Sequence, residues 1–202
     1  VGSEMCIRDS MYTGDQGFFL GEHGWFDKRL MYEECLRMPF VIRYPKEIKP
    51  GTDNKDITLN IDFAPLFLDY AGVDKPSQMQ GESFRSNLRN ETPANWRQAM
   101  YYRYWMNADN DHNVTANYGI RTDRYKLIFY YGESLGMTGT KNESRTPEWE
   151  LYDLKEDPME MKNLYNDPSK KALIKELKTK LLMLKQQYDD EDSNCLLYTS
   201  PS

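Results

Sequence analysis

The sequence predicts an α/β fold that continues into a small antiparallel sheet closed by a C-terminal helix. Two observations support this prediction. In the first half, a short strand, a glycine-rich loop, a helix, an apolar strand and a second helix follow one another, an alternation typical of α/β proteins. In the second half, short aromatic-rich stretches separated by turn residues indicate antiparallel strands, and a stripe of leucines predicts one long helix.

Glycine and proline residues divide the first half into elements. In order, these are a strand over 11–17, a loop over 18–26, a helix over Lys28–Arg37, a strand over Pro39–Tyr44 and a helix over Asn60–Gly72. Asp27 is predicted to cap the first helix and Gly72 the second. Because Pro39–Tyr44 is continuously apolar, we expect it to be buried on both faces of a parallel sheet.

Aromatic and leucine patterns define the elements of the second half. The predicted strands are Met100–Trp105, Tyr118–Thr122, Tyr125–Tyr131 and Trp149–Asp153. The break at 122–124 predicts a hairpin, and residues 133–147 predict an exposed loop. Ser169–Tyr188 predicts a helix that docks on the sheet, because Leu173, Leu177, Leu181 and Leu184 form one stripe.

Composition excludes several functional classes. The 202 residues include 26 basic and 32 acidic side chains, so the net charge is −6, which argues against nucleic acid as the main partner. No run of 18 apolar residues is present, which excludes a membrane-spanning helix within this sequence. Two histidines and no Cys-x-x-Cys pair argue against a histidine-rich or zinc-ribbon metal centre.

Both ends of the chain are predicted to be non-native sequence. Residues 1–10 (VGSEMCIRDS) and 195–202 (CLLYTSPS) resemble translated sequencing adapters, and we set them aside as non-native flanks. Two of the three cysteines lie in these flanks, so Cys35 is left without a predicted disulfide partner. The rest is expected to form two units, residues 11–92 and residues 93–190.

Three positions in the first half carry candidate chemistry. Asp15 and Gln16 place a carboxylate beside an amide oxygen after a strand, as in a Ca²⁺ site or in an ordinary polar turn. His23, between two glycines, is either a donor to an anion or a loop histidine bonded to the backbone. Lys28, in the first turn of the predicted helix, either holds an anion with the helix terminus or extends into water.

Together these stretches resemble the sulfatase family of the alkaline phosphatase-like superfamily. The resemblance rests on the D-Q-G, G-E-H-G, Lys and Tyr-Glu positions of Tyr12–Tyr44, on Asn60–Leu88, and on the stretches YYRYW, YGIRTDRYKLIFYY and WELYDLKEDPMEMKNL. It covers residues 11–190 and is greatest for N-acetylglucosamine-6-sulfatases and related glycan sulfatases. It implies the C-terminal portion of an alkaline phosphatase-like sheet over 11–92 and the C-terminal sulfatase subdomain over 93–190.

The resemblance also implies roles for individual residues. Asp15 and Gln16 correspond to Ca²⁺ ligands, and Lys28 to the lysine that contacts the sulfate and its bridging oxygen. His23 and His112 correspond to substrate-pocket positions. A second histidine is common in the family where this chain has Asn117, a departure that bears on sugar specificity.

The family nucleophile is a formylglycine made from the Cys or Ser of a C-x-P-S-R motif, and no such motif occurs in this sequence. The resemblance therefore implies a C-terminal fragment, inactive alone, of a sulfuric ester hydrolase acting on sulfated glycans with Ca²⁺. The alternatives are a phosphatase or phosphonate monoester hydrolase of the same superfamily, or a non-catalytic glycan-binding homologue. The resemblance also implies export to the periplasm or the cell exterior, although no signal peptide is visible in this sequence.

Overall fold

The computed structural model describes residues 9–190, which divide into two compact units. Among these residues, the first unit contains 9–18 together with Leu36–Gln98, and the second contains Phe19–Cys35 together with 99–190. The segment Phe19–Cys35 therefore belongs with the second half of the chain, whereas the sequence analysis groups it with the first.

The regular elements are short except for the last helix. In chain order the strands and helices are β1 (Ser10–Thr13), β2 (Phe19–Leu20), β3 (Phe26–Asp27), α1 (Glu33–Leu36), β4 (Phe40–Arg43), α2 (Phe63–Ala71), β5 (Ala99–Tyr104), β6 (Asn117–Thr122), β7 (Tyr125–Tyr130), β8 (Glu148–Asp153) and α3 (Lys171–Gln187). Turns of 3₁₀ helix occur at Glu22–Gly24, Asn60–Asp62, Asn87–Arg89 and Pro168–Lys170.

The first unit contains a two-stranded sheet of β1 and β4 and the helix α2. The parallel arrangement predicted for Pro39–Tyr44 is wrong, because β4 pairs antiparallel with β1. Its residues alternate, with Phe40 and Ile42 packing against the core while Val41 is 64% exposed. The helix predicted over Asn60–Gly72 is confirmed, and Gly72 ends it in the left-handed conformation.

Ser10, assigned above to a foreign flank, is the first residue of β1, whereas residues 1–8 and 195–202 lie outside the described residues.

The second unit is built on an antiparallel sheet with the strand order β5-β6-β7-β8. All four predicted strands and the predicted hairpin between β6 and β7 are confirmed. Strand residues alternate between the two faces of a sheet. On one face, Tyr118, Ile120, Leu127 and Phe129 form a core with Leu177 and Leu181 of α3, which confirms the docking helix.

The segment Phe19–Cys35 packs on the opposite face of this sheet. Gly119 of β6 leaves room there for Met31, because a Cβ at this glycine would lie 2.6 Å from the Met31 sulfur. Phe19, Leu30 and Cys35 are buried with Val114 in a separate apolar cluster. The sheet is therefore covered on both sides.

The helix predicted over Lys28–Arg37 is wrong, since only Glu33–Leu36 is helical. In a longer helix the Glu33 amide would donate to the Arg29 carbonyl. Instead, that amide donates to Glu160 Oε2 at 2.7 Å, and the Arg29 carbonyl accepts from Asn117 Nδ2 at 3.4 Å. Tertiary hydrogen bonds thus replace the helical ones.

Candidate functional site

The two predicted Ca²⁺ ligands lie in the first unit, just after β1. Asp15 is exposed and Gln16 is half-buried, and the following Gly17 is buried. A carboxylate and an amide carbonyl supply the oxygen donors that Ca²⁺ prefers, so the donor chemistry fits the ion. They offer three oxygens at most, so the remaining ligands would have to come from other residues.

The predicted pocket residues His23, Lys28 and His112 all belong to the second unit. His23 lies in the 3₁₀ turn before β3 with a left-handed backbone, φ 54°. Its ring centroid is 4.5 Å from that of Tyr32, and its Nε2 atom is 3.6 Å from Glu34 Oε2. A carboxylate facing this nitrogen disfavours a direct contact with an anionic ligand, because like charges repel.

Lys28 directly follows β3 and is half-buried. Asp27 is the last residue of this strand, with φ 92°, so it is not a helix N-cap. No helix begins at Lys28, so the predicted anion site at a helix terminus is wrong there, and only the family resemblance gives Lys28 a role.

His112 is the best-supported candidate, because carboxylates hold both of its ring nitrogens. Its Nδ1 atom lies 2.8 Å from Asp109 Oδ1, and its Nε2 atom lies 3.1 Å from Asp27 Oδ2. The same Asp27 oxygen forms an ion pair with Arg29. The imidazole is thus fixed in orientation while remaining 31% exposed to solvent.

Asp109 is the buried anchor of this arrangement. Its Oδ1 atom accepts the backbone amides of Asp111 at 3.0 Å and His112 at 2.8 Å, and its Oδ2 atom accepts the Tyr104 hydroxyl at 2.7 Å. Burial alone would raise the pKa of Asp109, but these hydrogen bonds outweigh it and hold the pKa at about 2. Asp109 is therefore ionised throughout the physiological range.

A pocket of about 170 Å³ opens beside His112. Its lining combines aromatic rings with charged groups: Phe19, Trp25, Phe26, Asp27, Arg29, Leu30, Asp111, His112 and Val114. Such a mixture suits a small ligand that has both an apolar face and hydroxyl or anionic groups.

Sequence reasoning missed Asp27, Asp109 and Tyr104 as members of the site. A signal was present for one of them, since Asp109 lies three residues before His112 in D-N-D-H, a spacing that allows a side chain to bond the following turn. The sequence instead predicts Asp27 as a helix cap, and Tyr104 is one of several tyrosines on an aromatic strand.

Comparison with known proteins identifies the family. A family model described as N-sulphoglucosamine sulphohydrolase, C-terminal, matches residues 21–187. The chain belongs to this sulfatase family. N-acetylglucosamine-6-O-sulfatase of Bacteroides thetaiotaomicron is 50% identical over 184 residues, covering 90% of this chain and 31% of the relative.

Solved structures place this sulfatase chain in the alkaline phosphatase-like fold. One protein, solved in complex with its substrate D-glucosamine-2-N,6-O-disulfate, superimposes with a TM-score of 0.80 at 50% identity, covering 90% of this chain and 35% of that one. The phosphonate monoester hydrolase of Agrobacterium radiobacter, at 23% identity and TM-score 0.71, covers 89% of this chain and 35% of that one and shows the shared fold alone. The chain thus spans about a third of the length of these proteins. In the part of the chain that the structure describes, no helix is long and apolar enough to cross a bilayer.

Proposed function

We propose that this chain is the C-terminal part of an enzyme that hydrolyses sulfate esters of sulfated carbohydrates, with 6-O-sulfated glucosamine as the first substrate to test. The observation that carries the proposal is the 50% identity to an N-acetylglucosamine-6-O-sulfatase across 90% of the chain. The pocket beside His112 supports it, because aromatic rings next to fixed polar groups suit a sugar ring.

Within this proposal, the described residues bind and orient the substrate. His112, with both ring nitrogens held by Asp109 and Asp27, would present the face of its ring to the sugar, and Arg29 would provide a cation beside it. Lys28 would stabilise negative charge on the sulfate oxygens. Asp15 and Gln16 would hold Ca²⁺, which when bound supplies further charge stabilisation at the sulfate.

The formylglycine nucleophile does not fit any residue of this sequence. Cys35, the cysteine among the described residues, is buried and is followed by Leu-Arg-Met rather than by x-Pro-Ser-Arg. We therefore propose that the nucleophile and the other metal ligands come from sequence outside this chain. Export to the periplasm or the cell exterior is likewise a proposal from the resemblance.

The test uses the full-length protein that contains this sequence. Sulfate release from D-glucosamine 6-O-sulfate is measured beside hydrolysis of 4-nitrophenyl phenylphosphonate, a phosphonate monoester, and beside binding of the sulfated sugar. Sulfate release supports the proposal. Phosphonate turnover without sulfate release would instead favour the phosphonate hydrolase alternative, and binding without turnover a non-catalytic homologue.

Lys28→Ala should slow sulfate release by a factor on the order of 10²–10³, because one charge contact to the sulfate develops in the transition state. Lys28→Arg should recover part of the rate, since a planar fork does not reproduce a point donor. Lys175→Ala, at an exposed position of α3, is the control. Near-normal turnover in Lys28→Ala would remove this lysine from the site.

A further inference from the structure

The loop that carries His112 has a backbone that needs outside support. This segment, residues 107–116, is called the His112 loop here and connects β5 to β6. Ala108 and Asn113 have left-handed backbones, with φ of 49° and 53°. Such conformations cost free energy in residues other than glycine and persist where surrounding contacts hold them.

Asn107 supports the His112 loop from within. Its side chain is buried, and its Oδ1 atom accepts the Ala116 amide at 3.1 Å, which joins the two ends of the loop. Its Nδ2 atom donates to the carbonyls of Gly132 at 3.2 Å and Glu143 at 2.9 Å. The His112 loop is therefore bonded to the loop over 133–147.

Arg145 supports the His112 loop from outside. Its Nη1 atom donates to the Asn113 carbonyl at 3.0 Å and to Thr115 Oγ1 at 3.1 Å, and its Nη2 atom donates to Asn113 Oδ1 at 2.6 Å. Glu143 Oε1 accepts from Nη2 at 2.8 Å and from Nε at 3.1 Å, which holds the guanidinium plane in place.

The backbone of Arg145 is fixed as well. Its amide donates to the Gly132 carbonyl at 2.8 Å. Gly132 has φ 66°, and a Cβ there would lie 2.6 Å from the Arg145 carbonyl oxygen. Only glycine allows this close approach, so the position of Arg145 is set by the end of β7 rather than by its own exposed loop.

We infer that Arg145 is a positioning residue for His112 and thereby a determinant of substrate affinity, an inference that rests on the proposed function. Arg145 bonds Asn113, the residue after His112, and it is not among the residues lining the described pocket. It therefore acts through the loop backbone. Holding that backbone keeps the imidazole within reach of both Asp109 and Asp27.

The test compares Arg145→Ala, Arg145→Lys and Asn113→Gly with the wild-type full-length protein. Arg124→Ala is the matched control, because Arg124 also pairs with a carboxylate, Asp153, but lies at the β6–β7 turn and is 46% exposed. The readouts are amide hydrogen exchange in the His112 loop and kinetics on D-glucosamine 6-O-sulfate and on 4-nitrophenyl sulfate, which lacks the sugar.

In the wild-type protein the Ala108 and Asn113 amides donate to carbonyls within the His112 loop. In Arg145→Ala we expect these two amides to exchange about tenfold faster. We expect KM for the sugar sulfate to rise roughly three- to tenfold, with kcat and the turnover of 4-nitrophenyl sulfate changed less than about twofold. Arg145→Lys should give a KM and exchange rates between those of the wild-type protein and Arg145→Ala, because one ammonium cannot reproduce the two donor groups of the guanidinium. Asn113→Gly keeps the left-handed backbone and loses one acceptor, so its effect should be smaller.

Unchanged exchange and KM in Arg145→Ala would overturn the inference. Equal losses on both substrates would also overturn it, because they would indicate a general structural defect. If the wild-type protein does not release sulfate from the sugar, the proposed function fails. The positioning role is then decided by hydrogen exchange alone, where a faster rate confined to the His112 loop supports it and an unchanged rate contradicts it.

Discussion

The two units bury charge in different ways. In the first unit the Asp62 carboxylate has no exposed surface, and it accepts the backbone amides of Leu59 at 2.7 Å and Glu82 at 2.8 Å. Arg97 donates to the same carboxylate, with Nη2 to Oδ1 at 2.8 Å. Arg97 thus neutralises the Asp62 carboxylate at the start of α2, and the two amides satisfy its hydrogen-bonding capacity.

In the second unit the buried charge is a lysine. The Lys126 ammonium lies 2.9 Å from Glu33 Oε1 and 2.7 Å from Glu160 Oε1, and Arg121 balances Glu33 at 3.1 Å. Burial raises the pKa of Glu160. Burial would also raise the pKa of Glu33, but the charges of Lys126 and Arg121 outweigh it and lower that pKa.

The two clusters connect different parts of the chain. Asp62 ties the turn at the start of α2 to Glu82 and Arg97, all within the first unit. Lys126 of β7 joins Glu33, in the segment Phe19–Cys35 that packs on the sheet, to Glu160 beyond β8. The segment that carries Asp27 and Lys28 is therefore fixed to the sheet by long-range ion pairs. Loss of the Lys126 cluster should disturb the candidate site, and loss of Asp62 should disturb only the first unit.

Lys126→Ala should have the largest effect on stability. Removing the ammonium leaves two carboxylates facing each other in a buried position, which costs about 3–5 kcal/mol of unfolding free energy. The measurement is a urea titration, with exchange of the Glu33 amide as a local probe. Lys180→Ala, which removes an exposed pair with Glu176, should change the free energy by less than about 0.5 kcal/mol.

A double variant separates charge from packing. Lys126→Met combined with Glu160→Gln keeps an acceptor for the Glu33 amide and leaves Glu33 paired with Arg121. It should recover more than half of the loss, because a matched apolar replacement of an ion pair is often close to neutral. A loss below about 1 kcal/mol in Lys126→Ala would contradict the long-range role of the cluster.

Asp62→Asn should have the second largest effect. The amide keeps one oxygen for the backbone, but its NH₂ group faces the Arg97 guanidinium, so a largely buried cation loses its partner. We expect a loss of about 2–3 kcal/mol. Hydrogen exchange should locate the change at the amides of Leu59 and Glu82. The exposed substitution Asp74→Asn is the control, and equal losses in the two variants would show that Asp62 does not organise this turn.

The sheet and the long helix of the second unit were predictable from the sequence. Their signals are local, since aromatic stretches bounded by turn residues mark β6 and β7, and the leucine stripe of α3 marks one helix face. In Lys28–Arg37 a similar local pattern predicts a helix that does not form. There the backbone of Arg29 and Glu33 bonds to residues far along the chain, and no local pattern records such partners.

The candidate site was predictable only in part. His112 was predictable only from a family resemblance, whereas Asp109 was predictable from its position three residues before His112. Asp27 could not have been, because its contact with His112 depends on the packing of Phe19–Cys35 in the second unit. The positive φ of Asp27 is likewise invisible in a residue pattern.

The smallest expected effect concerns Asp109. This carboxylate is held largely by neutral donors, so the pH dependence of stability tests whether those hydrogen bonds favour its ionised form. Its pKa, at about 2, lies below the ordinary value of 3.8. A group with a lowered folded-state pKa contributes stability that is present above its unfolded-state pKa and is lost as the pH falls toward the folded-state pKa. Wild type should therefore lose part of this contribution between pH 6 and pH 3, whereas Asp109→Asn has no such group to protonate.

The expected outcome is a difference in unfolding free energy that depends on pH. At pH 6 the wild-type protein should be more stable than Asp109→Asn by on the order of 1–2 kcal/mol, and at pH 3 this gap should be narrower by about 1 kcal/mol. Asp111→Asn changes the same charge at an exposed neighbouring position and is the control. A gap that stays constant from pH 6 to pH 3 would mean that the Tyr104 and amide hydrogen bonds do not favour the ionised form of Asp109. Asp109 would then titrate at its ordinary pKa, and its hydrogen bond to His112 Nδ1 would be the remaining contact that orients the ring beside the pocket.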